Sequence, residues 1–133
     1  MSVIPGSVDM VVTDMSKTIA FYRMLGLDIP QGVEEQDQVE YASPNGFTLS
    51  WSLERMFVEL GGPKWANLPS RGRMRLAFKC GSPDEVDTVY QKLIEAGYMS
   101  EAAPWDAFWG QRFAQVLDPD GALVDLYSPL ALP

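Results

Sequence analysis

Two stretches of alternating apolar and polar residues, each reversed at a turn containing proline and glycine, dominate the pattern of this chain. In residues 105–127 the segment Asp118, Pro119, Asp120, Gly121 separates two alternating runs, which predicts a β-hairpin. Pro119 presets φ at the first corner and Gly121 supplies a positive φ, so a three-residue loop with a bulge sets Asp118 opposite Ala122. The register follows by counting back. Leu117 faces Leu123, Gln115 faces Asp125 and Phe113 faces Tyr127 on one side of the sheet, and Ala114, Val116, Val124 and Leu126 fall on the other. The second side is wholly apolar and is expected to pack on a helix. The first mixes rings with Gln115 and Asp125, which is the composition of a pocket wall rather than of a dry core.

The same device occurs in the first half. Residues 38–42 and 47–53 flank Ser43, Pro44, Asn45 and Gly46. The count puts Gln38, Glu40, Ala42, Thr48, Ser50 and Ser52 on a mixed face, and Val39, Tyr41, Phe47, Leu49 and Trp51 on an apolar one. Ahead of this hairpin, residues 7–13 alternate Ser7, Asp9 and Val11 against Val8, Met10 and Val12. A helix follows, capped by Asp14 or Ser16, with Met15, Ile19, Tyr22 and Leu25 on one face and Gly26 at its end. An extended piece at residues 27–30 and a polar loop complete the half. The second half begins again with residues 73–80, where Arg73, Arg75, Ala77 and Lys79 alternate with Met74, Leu76, Phe78 and Cys80. Its helix is capped at Ser82 with Pro83 in the first position, carries Val86, Val89, Tyr90, Leu93 and Ile94 as a stripe, and stops at Gly97.

Both halves thus read strand, helix, strand, hairpin. The predicted fold is α+β: two tandem βαβββ modules, residues 1–53 and 73–133, related by duplication within one domain of residues 1–133. Residues 54–72, rich in Gly and Pro, form the connection, with a short helical start. Phe57 and Trp65 in it are aromatic candidates, either to cover a pocket or to bury against the body or a partner subunit.

Composition narrows the chemistry. At 133 residues and 47% hydrophobic, the chain suffices for one domain with a real core, or for two small modules sharing one. Eighteen acidic against ten basic side chains give a net charge of -8, which repels a phosphate backbone, so nucleic acid is not an expected partner. No apolar run approaches a membrane span and the first residues, MSVIPGSVDM, lack a basic leader and an apolar signal core. The expectation is a cytoplasmic protein with no membrane partner. The lone Cys80 alternates with apolar residues and reads as a buried, reduced thiol. Histidine is absent altogether, which removes the commonest metal ligand and the commonest general base together.

With these features in place the chain resembles a known superfamily. The opening VVTDMSKTIAFYRMLGL and the close WGQRFAQVLDPDGALVDLY are similar to the glyoxalase, bleomycin-resistance and dioxygenase group, the vicinal oxygen chelate superfamily. Within it, PWDAFWGQRFAQVLDPDGALVDLYSPL, FYRMLGLDIP and the LSW at Leu49 to Trp51 resemble the mitomycin-binding resistance proteins. The resemblance implies a curved mixed sheet that encloses a cavity. It also implies four positions at which catalytic members hold a divalent metal, here Ser7, Ser50, Arg75 and Asp125. Only Asp125 is a usable ligand, so no metal or other cofactor is expected. A charge in a cavity requires a partner, and Arg75 is expected to bridge to Asp125 or Asp9 rather than stand at a strand end in solvent.

The resemblance further implies that Trp109 stacks on a planar ligand; the competing role is a ring wedged in a subunit interface. Trp105 and Phe108 neighbour that mouth, with interface packing the favoured role, and Trp51 is assigned to the core. Phe113 and Tyr127 form a floor. Where mitomycin-binding relatives carry a histidine on the opposite wall, this chain has Gln38. The candidate ligand-binding set is Asp9, Gln38, Glu40, Ser50, Arg75, Trp109, Phe113, Gln115, Asp125 and Tyr127, with no catalytic residue assigned. The leading reading is a homodimer that sequesters a planar or cationic small molecule, such as an antibiotic. Two others stay open: a metal-independent lyase or isomerase using Asp9, Glu40 or Asp125, and a module whose aromatic loop docks a protein.

Overall fold

In the computed structural model, which describes residues 5–69 and 74–131, seven strands and three helices alternate along the chain. They are β1 (Val8–Val12), α1 (Met15–Leu25), β2 (Gln38–Ala42), β3 (Thr48–Leu53), α2 (Glu54–Gly61), β4 (Arg75–Lys79), α3 (Pro83–Glu95), β5 (Ser100–Ala107), β6 (Gln111–Leu117) and β7 (Leu123–Pro129). A 3-10 turn, Pro63–Trp65, follows α2. The protein is α+β, with one three-stranded and one four-stranded sheet. The chain divides into two compact units. Leu27–Leu68 and the chain before Met24 form the first, and the chain from Pro69 onward, with Met24–Gly26, forms the second.

In the first unit the strand order is β1-β3-β2, with β1 parallel and β2 antiparallel to β3. Of the two candidate caps of α1, Asp14 is the one used: its Oδ1 accepts the Lys17 N–H at 3.0 Å and its carbonyl accepts the Thr18 N–H at 3.0 Å. Gly26, at φ 126°, ends the helix in a conformation that a side chain would strain. Met15, Ile19 and Tyr22 are buried, and the Tyr22 ring lies 4.9 Å from that of Trp51, which is fully buried beside Val39 and Leu49 on the apolar face. Full burial of such side chains contributes about 1.5–3 kcal/mol each before entropy is subtracted.

Three details depart from the sequence reading. Residues 27–30 do not pair as a strand. The Ile29 N–H turns back to the Leu27 carbonyl at 3.0 Å, and the Arg23 guanidinium takes the carbonyls of Ile29, at 3.1 Å, and Pro30. Those groups are therefore spent locally, and the first unit is βαββ. Phe47, expected on the apolar face, precedes β3 and is exposed. Ser7 lies just outside β1 and is exposed. Arg73, expected to open the fifth predicted strand, lies outside the described residues.

The second unit keeps the full βαβββ order, with strands arranged β4-β7-β6-β5. Ser82 caps α3 by accepting the Glu85 N–H at 3.2 Å, with Pro83 first in the helix. Val86 and Leu93 of α3 are fully buried, as are Ala114 and Val116 of β6 and Val124 and Leu126 of β7, and α3 packs on both strands. The turn sets the register as its chemistry requires. The Asp118 N–H donates to the Ala122 carbonyl at 2.9 Å, Gly121 sits at φ 85°, and Leu117, Gln115 and Phe113 face Leu123, Asp125 and Tyr127. The Asp118 Oδ1 also accepts the N–H groups of Asp120 and Ala122, each at 2.9 Å. Strand β5 is less regular. It is antiparallel to β6 with register shifts on either side of Ala102, so that Trp105 comes to lie opposite Phe113. Cys80 is buried, and its thiol is pushed up to about 11 by burial first and by the Glu85 charge second.

Candidate functional site

Parallel pairing of β4 with β7 sets Arg75 beside Leu123 and Ala77 beside Asp125, all on one face of the sheet. Ala77 has nothing beyond Cβ, which leaves room for the Arg75 side chain to lie along the strand and reach Asp125 diagonally. Nε stands 3.0 Å from Oδ2. Gln115, directly opposite Asp125 on β6, donates Nε2 to Oδ1 at 2.9 Å. The Asp125 side chain is 3% exposed and that of Arg75 59%. A buried carboxylate thus has both oxygens engaged, while more than half of the Arg75 side chain remains exposed.

Beside this polar group the β5–β6 hairpin supplies rings. Trp105 and Trp109 each meet Phe113 edge to face at 5.3 Å and meet each other the same way at 5.9 Å. The Trp109 indole N–H donates to Gln111 Oε1 at 2.9 Å, which fixes the plane of a half-exposed ring. Arg112, on the opposite side of β6, holds the hairpin. It clasps Asp87 of α3 with Nε at 2.9 Å and Nη2 at 3.2 Å, and Asp106 of β5 with Nη1 at 3.1 Å. These carboxylates, Asp87 foremost, raise the Arg112 pKa.

The Arg75, Asp125 and Gln115 group and the rings of Trp105, Trp109 and Phe113 line a pocket of about 620 Å³ in the second unit. Six expected site residues lie in its wall: Arg75, Trp109, Phe113, Gln115, Asp125 and Tyr127. Trp105, Gln111 and Ala77 complete it. Gln111 and Ala77 share the strand parity of Phe113 and Arg75, so simple alternation could have found them. Trp105, expected chiefly as an interface residue, lines the pocket through the irregular register of β5, which no period in the sequence announces.

The remaining four expected residues belong to the first unit and form their own group. Asp9 Oδ1 accepts the hydroxyls of Ser50 at 2.6 Å and Ser52 at 2.8 Å, and Gln38 Nε2 donates to Ser52 Oγ at 3.0 Å. Glu40 lies opposite Ser50 in the ladder and is exposed. Of the two carboxylates named as partners for Arg75, Asp125 is the one it meets; Asp9 is held by serines. In the same unit Arg23 donates to Glu34, which lowers the Glu34 pKa.

Two α+β units built from a parallel β-α connection and a proline-turn hairpin are the architecture of the glyoxalase-like folds. The sequence model of the Glyoxalase/Bleomycin resistance protein/Dioxygenase superfamily matches residues 4–126, and the chain belongs to that superfamily. It is 32% identical over 127 residues to YraH of Bacillus subtilis (strain 168), an uncharacterized protein, covering 91% of this chain and 94% of that one. Among solved structures, the hypothetical protein SA1046 from S. aureus superposes with a TM-score of 0.78 at 19% identity, covering 96% of this chain and 95% of the other. A glyoxalase/bleomycin resistance protein/dioxygenase from Nocardioides gives 0.75 at 24% identity, covering 100% and 88%. These likenesses establish the fold.

A divalent metal, which the superfamily's catalytic members hold, does not fit the residues present. At the four corresponding positions, Ser50 is committed to Asp9, Asp125 has both oxygens engaged by Arg75 and Gln115, and Arg75 brings a positive charge. Ser7 offers a single hydroxyl from outside the strand. No group of three or more His, Cys, Asp or Glu side chains suited to a metal ion is found among the described residues. No helix of the described residues is long and apolar enough to cross a membrane.

Proposed function

We propose that this protein binds and sequesters a planar small molecule, of the kind represented by aromatic antibiotics, without a metal and without altering it. The observation that carries the reading is the second unit's pocket, where the corner of Trp105, Trp109 and Phe113 stands beside the buried Asp125 carboxylate and its two partners. Its volume of about 620 Å³ falls within the roughly 300–1,000 Å³ typical of small-molecule sites. Rings already locked by edge contacts and by the Trp109–Gln111 hydrogen bond lose little freedom when a flat guest stacks on them. Such stacking is worth about 0.5–1.5 kcal/mol beyond the area buried. Membership of a superfamily that includes bleomycin resistance proteins supports the same direction.

Tryptophan fluorescence titration against mitomycin-, bleomycin- and quinoxaline-type compounds, followed by mass analysis of each compound, tests the proposal. Quenching with unchanged mass is the expected result. An altered mass would make the protein an enzyme, and silence across the whole panel would remove the binding reading. Trp109→Ala is expected to weaken binding by roughly thirtyfold, the loss of about 2 kcal/mol typical of a central aromatic anchor.

The reading includes a homodimer with one site in each subunit. Exposed apolar side chains such as Phe108, 97% exposed, and Leu60, 80% exposed, are of the sort that such an assembly covers. Light scattering at micromolar concentration is expected to give twice the chain mass; a monomer's mass would dispose of the dimer.

A further inference from the structure

We infer that the ligand of the second unit's pocket carries an anionic group, of the carboxylate type, attached to its flat ring, and that the open edge of the Arg75 guanidinium receives it. This deepens the proposed function and rests on that reading.

The inference comes from counting which polar groups in the pocket are still available. Asp125 has one oxygen facing Arg75 Nε at 3.0 Å and the other accepting from Gln115 Nε2 at 2.9 Å, and its side chain is almost wholly buried. Its capacity to attract a cationic guest is therefore largely consumed inside the protein. The indole N–H of Trp109 is likewise committed, to Gln111 Oε1. Arg75 is in the opposite position. One nitrogen is anchored, the side chain is 59% exposed, and no further partner meets its two terminal nitrogens among the described residues. An arginine pinned at Nε by a buried carboxylate, with its terminal edge free, is oriented in advance and presents parallel N–H donors. That arrangement matches the two oxygens of a carboxylate. The rest of the pocket wall is uncharged, so the free edge is the one part of a charged group there still open to a guest. A cationic guest, the other expectation for this cavity, would find its acidic partner already paired with Arg75 and Gln115.

Chemical isosteres separate this inference from the reading on which it rests. The probes are naphthalene-2-carboxylate, naphthalene-2-carboxamide and 2-naphthylmethylammonium, which share one flat ring system and differ in charge. Each is titrated calorimetrically into the protein at pH 7. The carboxylate is expected to bind roughly ten- to hundredfold more tightly than the amide, as for a charge-assisted hydrogen-bonded pair, and the ammonium more weakly still. Arg75→Gln should abolish the preference, bringing the carboxylate's affinity to within about twofold of that of the amide measured with the same variant. Because that variant leaves a buried carboxylate short of a partner and could fold poorly, the paired variant Arg75→Gln with Asp125→Asn, which strands no charge, provides the second reading and should lose the preference equally. If the three probes bind alike, or the ammonium binds best, the inference fails and the planar-ligand reading stands. If none binds, both fail. Retention of the carboxylate preference in the paired variant would likewise overturn the assignment to Arg75.

Discussion

Removing the Arg75 guanidinium alone is predicted to cost more stability than removing it together with the charge it faces. In Arg75→Gln the Asp125 carboxylate, 3% exposed, keeps only the Gln115 amide at 2.9 Å. Stripping one partner from a fully buried ion pair costs about 3–5 kcal/mol, because an uncompensated charge is left behind. Here the cation side is 59% exposed, so water already screens the pair and the expected cost falls to about 1–3 kcal/mol. Asp125→Asn is gentler. The freed guanidinium rehydrates where it stands, the side-chain volume is kept, and the loss is about 0.5–1.5 kcal/mol for imperfect hydrogen bonding to Gln115. The double variant contains no stranded charge and should resemble Asp125→Asn, giving a coupling of about 1–3 kcal/mol between the two sites, equal to the cost of Arg75→Gln alone. For a chain of this length each kcal/mol moves Tm by about 3–5 °C. Urea unfolding of all four proteins at pH 7, followed by near-UV circular dichroism, measures the cycle. Additive costs, or an Arg75→Gln variant indistinguishable from the parent, would refute the view that Arg75 neutralises a buried Asp125.

Two further predictions concern the frame of the site. The Cys80 thiol has a folded pKa pushed up to about 11, above its unfolded value, so the stability it contributes is full below about pH 8.5 and is lost as the pH climbs through 11, by on the order of 3 kcal/mol in all. The difference between the stability curves of the parent and Cys80→Ala should therefore change over that interval, and a constant difference would contradict the assignment. Asp118→Ala removes the acceptor of two turn N–H groups at 2.9 Å and should cost about 1–2 kcal/mol by thermal unfolding, with Asp118→Asn milder; no change in Tm would mean that proline and glycine alone hold the turn.

The sequence was most legible where local chemistry dictates geometry. Pro119 and Gly121 fix a loop of one length, and from it the pairing of Phe113 with Tyr127 and Gln115 with Asp125 follows by counting. The same logic worked for Gln38 with Ser52 and Glu40 with Ser50. It failed where a long side chain or a bulge intervenes. Residues 27–30 have the composition of a strand, yet Arg23 takes their carbonyls, a contact that no periodicity encodes. Trp105 reaches the pocket because β5 shifts register twice, and alternation cannot be counted through such shifts. Whether Arg75 meets Asp125 or Asp9 was likewise undecidable from parity, since both lie on mixed faces. The small Ala77 beside Asp125 is what favours the first, and that neighbour relation belongs to the β4–β7 pairing, not to the hairpin turn.

The most direct measurement of the central claim uses the four tryptophans as internal reporters. Each contributes one indole N–H signal to a 1H–15N spectrum. Trp105 and Trp109 line the pocket, Trp51 is buried against Tyr22, and Trp65 stacks on Phe57 at 4.8 Å in the first unit. Titration with the planar compound that gives the strongest fluorescence response should shift the Trp105 and Trp109 signals together and saturably, leaving those of Trp51 and Trp65 in place. Saturable shifts confined to Trp51 or Trp65, with Trp105 and Trp109 unmoved, would contradict the account.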